Sequence, residues 1–152
     1  MYAEPQLTSL MPEEVQSGPK LRVLLADDHA DMLEETRALL ARQFEIVGTV
    51  WDGVSLIKAA EQLLPDVIVT DIKMPQMDGV EATREILRRR FCQVVIALSV
   101  YRERQIVAMA LEAGIRGYVL KQTAGEELER AIHIALKGGT FVSPEIQGEA
   151  SG

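Results

Sequence analysis

Five short apolar runs punctuate the chain, and four of them stop at a residue able to do chemistry. Leu21-Arg22-Val23-Leu24-Leu25-Ala26 ends in Asp27-Asp28, and Val67-Ile68-Val69-Thr70 ends in Asp71. Gln93-Val94-Val95-Ile96-Ala97-Leu98 ends in Ser99, and Arg116-Gly117-Tyr118-Val119-Leu120 ends in Lys121. The remaining run, Phe44 to Val50, leads into an Asp52-Gly53 turn. The run before Asp71 is nearly all β-branched and does not alternate with polar residues, the pattern of a strand buried on both faces of a parallel sheet. Between the runs the apolar period becomes helical. Met32, Leu33, Thr36, Leu39 and Leu40 predict a helix reaching Gln43, and Val54, Leu56, Ile57, Ala60, Leu63 and Leu64 predict a second, stopped by Pro65. Val80 to Arg89 and Glu103 to Ala113 follow, the latter closed by Gly114 as a left-handed cap. Glu126 to Lys137, with Leu128, Ile132 and Leu136 on one face, gives a fifth helix that ends at Gly138-Gly139. Alternating strands and helices with right-handed crossovers predict an α/β three-layer sandwich, a five-stranded parallel sheet covered by helices on both faces.

In such a sheet the strand ends share one carboxyl edge, where open α/β folds place their ligands. Asp27, Asp28 and Asp71 would then crowd together. At ~5 Å and an effective dielectric of ~20, each charged pair repels by about 3 kcal/mol. A hard cation relieves that cost, and an oxygen-only, partly hydrated site favours Mg²⁺ or Mn²⁺. A hydroxyl from Ser99 and an ammonium from Lys121 beside such a cation suit phosphoryl transfer, because they meet charge on the transferred oxygens. Each residue alone has a plainer reading. Aspartate commonly caps helices and forms turns, Ser99 is a reasonable N-cap, and Lys121 a solvated charge. It is the convergence of all five on one edge that favours the chemical reading.

The strings VLLADD (Val23 to Asp28), VTDIKMPQMDG (Val69 to Gly79), ALS (Ala97 to Ser99) and GYVLK (Gly117 to Lys121) together resemble the response-regulator receiver domains of two-component signalling. The resemblance runs from about Lys20 to Gly139 and implies a flavodoxin-like fold with strand order 2-1-3-4-5, the order of a chemotaxis receiver. It implies that Asp71 is the phospho-acceptor, that Asp28 binds Mg²⁺ directly and Asp27 through water, and that the Lys73 carbonyl adds a backbone ligand. Ser99 and Lys121 would contact the phosphoryl group, and Tyr118 would be the aromatic switch. The implied donor is a histidine kinase or phosphotransfer protein. The implied output is a homodimer or downstream protein engaged through the face of the fourth helix, fifth strand and fifth helix. Leu98-Ser99-Val100-Tyr101 and Gly138 to Ile146 resemble the LuxR/FixJ-type subfamily, whose receivers precede a helix-turn-helix domain. Receivers of this kind are phospho-acceptors with self-phosphorylation and autodephosphorylation chemistry rather than enzymes acting on a separate substrate.

Two positions depart from that pattern. Gln122 follows Lys121 where many receivers carry proline, so a cis X-Pro turn is not expected. Val100 follows the switch hydroxyl where a small residue is usual, and its stiff branched side chain is expected to narrow the approach to the acceptor.

Rival chemistries lack their parts. A haloacid-dehalogenase-type phosphatase needs a second carboxylate two residues after the nucleophile, and that position is Lys73. A dinucleotide fold needs a glycine-rich turn after the first strand, and Ala26 to Ala30 contains no glycine. The regulatory half of a DNA-binding regulator and a phosphorylation-independent binding module remain as alternative outputs.

Composition narrows the setting. The 152 residues suit one domain, read as 20–139 with a disordered lead-in over 1–19 and a linker-like tail over 140–152. Sixteen basic against 23 acidic residues give a net charge of −7, the wrong sign for a compact nucleic-acid binder. Arg88-Arg89-Arg90 at a helix end complements the helix dipole. No recognition helix is expected in this chain, so nucleic acid is not an expected ligand. No apolar run is long enough to span a bilayer and no leader pattern is present, so the expected setting is cytoplasmic, without membrane contact. Cys92 reads as inert core, His133 as a structural residue of the fifth helix, and His29 as a residue lining the rim of the acidic pocket.

Overall fold

The computed structural model describes residues 19–151. The disorder expected over residues 1–18 therefore lies outside the described residues. The elements are β1 (Arg22–Ala26), α1 (Ala30–Leu40), β2 (Glu45–Val50), α2 (Gly53–Leu63), β3 (Val67–Thr70), α3 (Gly79–Arg89), β4 (Val95–Ser99), α4 (Arg104–Glu112) and β5 (Gly117–Leu120). A 3₁₀ turn (Lys121–Thr123), α5 (Ala124–Leu136), β6 (Phe141–Val142) and α6 (Pro144–Ser151) follow among the described residues. Capping chemistry sets several boundaries. The Asp52 carboxylate accepts from the Ser55 N–H at 2.7 Å to start α2, and Asp78 does the same for the Glu81 N–H at 2.8 Å to start α3. Gly114, with φ 106°, turns the chain out of α4 as expected.

All pairings are parallel, in the order β2-β1-β3-β4-β5-β6. Every residue of β3, β4 and β5 is buried, which is why these strands read as unbroken apolar runs rather than alternating ones. One face of the sheet packs against α2, α3 and α4 through residues such as Leu56, Ala60, Val80, Ile86, Val107 and Ala110. The other packs against α1 and α5 through Leu33, Leu40, Leu128, Ala131, Ile132 and Ala135. At roughly 1.5–3 kcal/mol for each large apolar side chain fully removed from water, these two layers hold the strand ends in place.

Among the described residues the sheet has six strands, not the five expected: Phe141–Val142, within the segment read as linker-like, pairs with β5. The Phe141 N–H donates to the Arg116 carbonyl at 3.0 Å and the Ser143 N–H to the Tyr118 carbonyl at 2.9 Å. A two-residue strand carries no readable period, so only its burial against β5 reveals it. Ile146 of α6 is 3 % exposed and lies in the same buried cluster as Tyr118 and Leu120.

Candidate functional site

Register brings the polar strand ends level. Ala26 pairs with Thr70 and Thr70 with Ala97, so Asp27 and Asp71 lie one step beyond a shared rung. Ser99 pairs with Leu120, which puts Lys121 one residue further at the same edge. The loop after β3 is pinned by two glycines. A Cβ on Gly79 would meet the Asp71 carbonyl at 2.1 Å, and one on Gly53 would meet the Met77 carbonyl at 2.1 Å, so neither position admits a side chain without moving backbone.

Asp27 and Asp71 are buried, at 4 % and 5 % exposure, whereas Asp28 is partly open. The Lys121 ammonium donates to Asp71 Oδ2 at 2.9 Å and lies 2.9 Å from Asp27 Oδ2. Asp71 Oδ1 accepts from the Ile72 N–H at 2.7 Å, so both of its oxygens are fixed. Burial pushes the Asp71 carboxyl above the ordinary carboxylate range, with Lys121 opposing that push and the Asp27 charge adding to it. For Lys121, burial alone would lower the pKa, but the bonds to Asp27 and Asp71 outweigh it and the ammonium is held above its usual value.

One ligand atom each from Asp27, Asp28, His29 and Asp71 lies within 4.8 Å of the others. Three carboxylates meet there and Lys121 pairs with two of them, Asp27 and Asp71, so the corner is acidic and short of positive charge. His29 contributes more than rim: its N–H donates to Asp27 Oδ1 at 2.9 Å, and its Nδ1 is 3.3 Å from Asp27 Oδ1 and 3.2 Å from Asp28 Oδ1.

Ser99 and Tyr118 are fully buried and bonded to each other and to the Tyr101 backbone rather than to the acidic residues. Ser99 Oγ accepts from the Tyr101 N–H at 3.0 Å and lies 3.2 Å from the Tyr118 hydroxyl. That hydroxyl donates to the Tyr101 carbonyl at 2.8 Å. Tyr118 is thus already turned inward with Asp71 bound to Lys121. Tyr101 links the two on both its backbone groups, a role that periodicity does not reveal because it depends on the shape of the loop after β4. Lys73 is exposed, its ammonium 5.8 Å over the Tyr101 ring, and Val100 is 62 % exposed. Cys92 is buried and its thiol is pushed up to about 11 by burial, in keeping with inert core.

Among the described residues no helix is long and apolar enough to cross a membrane. Residues 23–133 match the family model of the response regulator receiver domain. The transcriptional regulatory protein DegU of Brevibacillus brevis is 33 % identical over 138 residues, covering 90 % of this chain and 58 % of DegU. The chain thus spans less than two thirds of that relative's length. The crystal structure of a LuxR-family two-component response regulator from Aurantimonas sp. superposes with a TM-score of 0.81 at 30 % identity, covering 87 % of this chain and 96 % of the other. The isolated receiver domain of RcsB from Salmonella enterica, solved with the phosphomimetic beryllofluoride, gives a TM-score of 0.76 at 29 % identity over 84 % of this chain and 96 % of that one. The chain therefore belongs to the receiver domains of two-component response regulators.

Proposed function

We propose that the chain takes one phosphoryl group onto Asp71 from a histidine kinase or phosphotransfer protein, and that this changes the surface it offers to a partner. The observation that carries the reading is Lys121, whose ammonium is 2.9 Å from carboxylates of both Asp27 and Asp71 at the carboxyl edge. An Asp71 oxygen attacks the phosphorus of the donor. The bond from phosphorus to the donor nitrogen or oxygen breaks, and the leaving group keeps the electron pair. Lys121 follows the charge as it moves from the carboxylate to the phosphoryl oxygens. The Ile72 N–H holds the other Asp71 oxygen and so fixes the plane of the carboxylate. Burial makes that carboxylate more basic, and so a better nucleophile, than one in water.

The clustered oxygens of Asp27, Asp28 and Asp71 fit a divalent cation with hard-ligand preference, and the charge deficit of the corner favours one. Asp28 and Asp71 with the Lys73 carbonyl would hold Mg²⁺ directly, and Asp27 through water. Bound there, Mg²⁺ neutralises the transferred group and lowers the cost of bringing it among carboxylates. Ser99 supplies a hydroxyl to the loaded group, and Tyr118 responds to its movement. The output face involves α4, β5 and α5, with a second copy or a downstream protein as partner. In a longer protein of the DegU kind, the same event would regulate a DNA-binding half.

Incubation with acetyl phosphate and Mg²⁺ followed by intact mass measurement tests the assignment. Wild type should gain one phosphoryl group, while Asp71→Asn and wild type in excess EDTA should gain none. Loading that survives either condition overturns it.

A further inference from the structure

Away from the acidic corner, a dense set of hydrogen bonds ties the segment after Gly139 to the rest of the fold. The segment grips β5 on both sides of Val119. The Ser143 N–H donates to the Tyr118 carbonyl at 2.9 Å, and the Leu120 N–H donates to Ser143 Oγ at 2.9 Å. The buried Ser143 hydroxyl in turn donates to Glu127 Oε1 at 2.5 Å, which also accepts from the Thr123 hydroxyl at 2.9 Å. The grip therefore falls between Tyr118 and Lys121. Further along, Ile146 is buried in the cluster that holds Tyr118, Val107 and Leu120. Glu145 Oε1 accepts from Arg102 Nη2 at 2.9 Å and from Gln122 Nε2 at 2.6 Å.

Arg102 follows Tyr101, whose N–H and carbonyl are held by Ser99 and Tyr118. A continuous chain of bonds therefore runs from the Ser99 hydroxyl through the loop after β4 to Glu145 on α6. The docked segment and the position of Ser99 belong to one arrangement, in which the acceptor Asp71 is paired with Lys121.

We infer that residues 141–147 form an intramolecular latch on the edge of β5, seated while Asp71 is free and loosened when Asp71 is loaded. The inference rests on the reading of Ser99 as the hydroxyl that turns to the phosphoryl group. When it turns, Ser99 Oγ leaves the Tyr101 N–H, the loop carrying Arg102 relaxes, and Arg102 is drawn from Glu145. With Glu145 and Ile146 unseated, β6 no longer covers the backbone groups of β5, and that edge opens. Linkage makes the coupling reciprocal: if loading weakens the latch, weakening the latch must favour loading by the same factor.

The full chain with Mg²⁺ and beryllofluoride decides the matter. Hydrogen exchange at the amides of Val142, Ser143, Glu145, Ile146 and Gln147 should speed up when beryllofluoride binds. Glu145→Ala and Ile146→Ala should each bind it more tightly, by about fivefold or more if the coupling is of ordinary size. Glu145 is exposed, so its variant tests the latch even if Ile146→Ala folds poorly. Unchanged or weaker binding by Glu145→Ala, or unchanged exchange in wild type, overturns the latch. Failure of every form to bind beryllofluoride overturns the phospho-acceptor reading itself.

Discussion

Two corners of the molecule gather carboxylates, and they balance them differently. At the carboxyl edge, Asp27, Asp28 and Asp71 cluster, and the ammonium of Lys121 pairs with Asp27 and Asp71. Around β6, Glu127 accepts from two hydroxyls, and Glu145 accepts from a guanidinium and an amide. The first corner is left with excess negative charge and calls for a cation and a group that can take up its lysine. The second is satisfied within the chain. An unbalanced carboxylate cluster is where chemistry is expected, and a balanced one is where structure is held.

The largest effect that separates the two corners comes from removing Lys121. Lys121→Met leaves Asp27 and Asp71 buried without their cation, and breaking a buried pair in this way costs about 3–5 kcal/mol. Denaturant unfolding in EDTA should show that loss, and millimolar Mg²⁺ should recover a large part of it. Equal stability of the variant with and without Mg²⁺ would show that the acidic corner is not short of charge.

Ser143→Ala is the matching test on the other side. It strips the Leu120 N–H and the Glu127 carboxylate of a buried partner, at a cost of about 1–3 kcal/mol. Because the carboxylates of that corner are hydrogen-bonded within the chain and stand apart from the acidic cluster, the loss should be the same in Mg²⁺ and in EDTA. A Mg²⁺-dependent loss would merge the two corners into one.

These corners also differed in how far the sequence exposed them. β3, β4 and β5 are buried on both faces, so the apolar runs ending in Asp71, Ser99 and Lys121 showed the strand ends directly. Five helices were readable from their apolar spacing, with ends displaced by a residue or two where capping by Asp52 or Asp78 decides them. The β6 corner was hidden for a physical reason. Phe141-Val142 is too short to show a period, and the bonds that tie Ser143 to Glu127 and Glu145 to Arg102 span 16 and 43 residues. Tyr101 was hidden likewise, since its part is played by backbone groups that every residue carries.

Asp71→Asn should give a smaller and opposite change in stability. Burial raises the Asp71 pKa in the folded chain, so the folded state binds its proton more tightly than the unfolded chain does. The contribution of this group to stability is therefore present in acid and is lost as pH rises from the ordinary carboxylate range through the raised folded value. In EDTA at neutral pH the asparagine variant, which carries no charge to bury, should melt a few degrees above wild type. The gap should close as pH falls toward 4, where wild type becomes protonated as well. Thermal scans across that range check the sign; a variant less stable than wild type at neutral pH would mean that Lys121 more than repays the burial.

The smallest expected effect concerns Val100, beside the acidic corner but outside its charge balance. Its side chain is 62 % exposed in the loop between Ser99 and Tyr101, so truncating it removes little buried surface and should leave stability nearly unchanged. Its consequence is for access. Hydrolysis of an acyl phosphate on Asp71 needs water in line with the bond being broken, and loading needs the donor on the same path. The expectation is that the branched Val100 side chain, stiff at χ1 and next in sequence to Ser99, narrows that path for both. Val100→Ala should then speed loading from acetyl phosphate and spontaneous loss of the phosphoryl group together, by roughly twofold or ~0.4 kcal/mol in each barrier. The gain is expected to stay small because the exposed Val100 side chain loses only two methyl groups. Parallel time courses by intact mass read both rates. A change in one without the other would place Val100 in contact with a single transition state, and no change in either would clear it from the path.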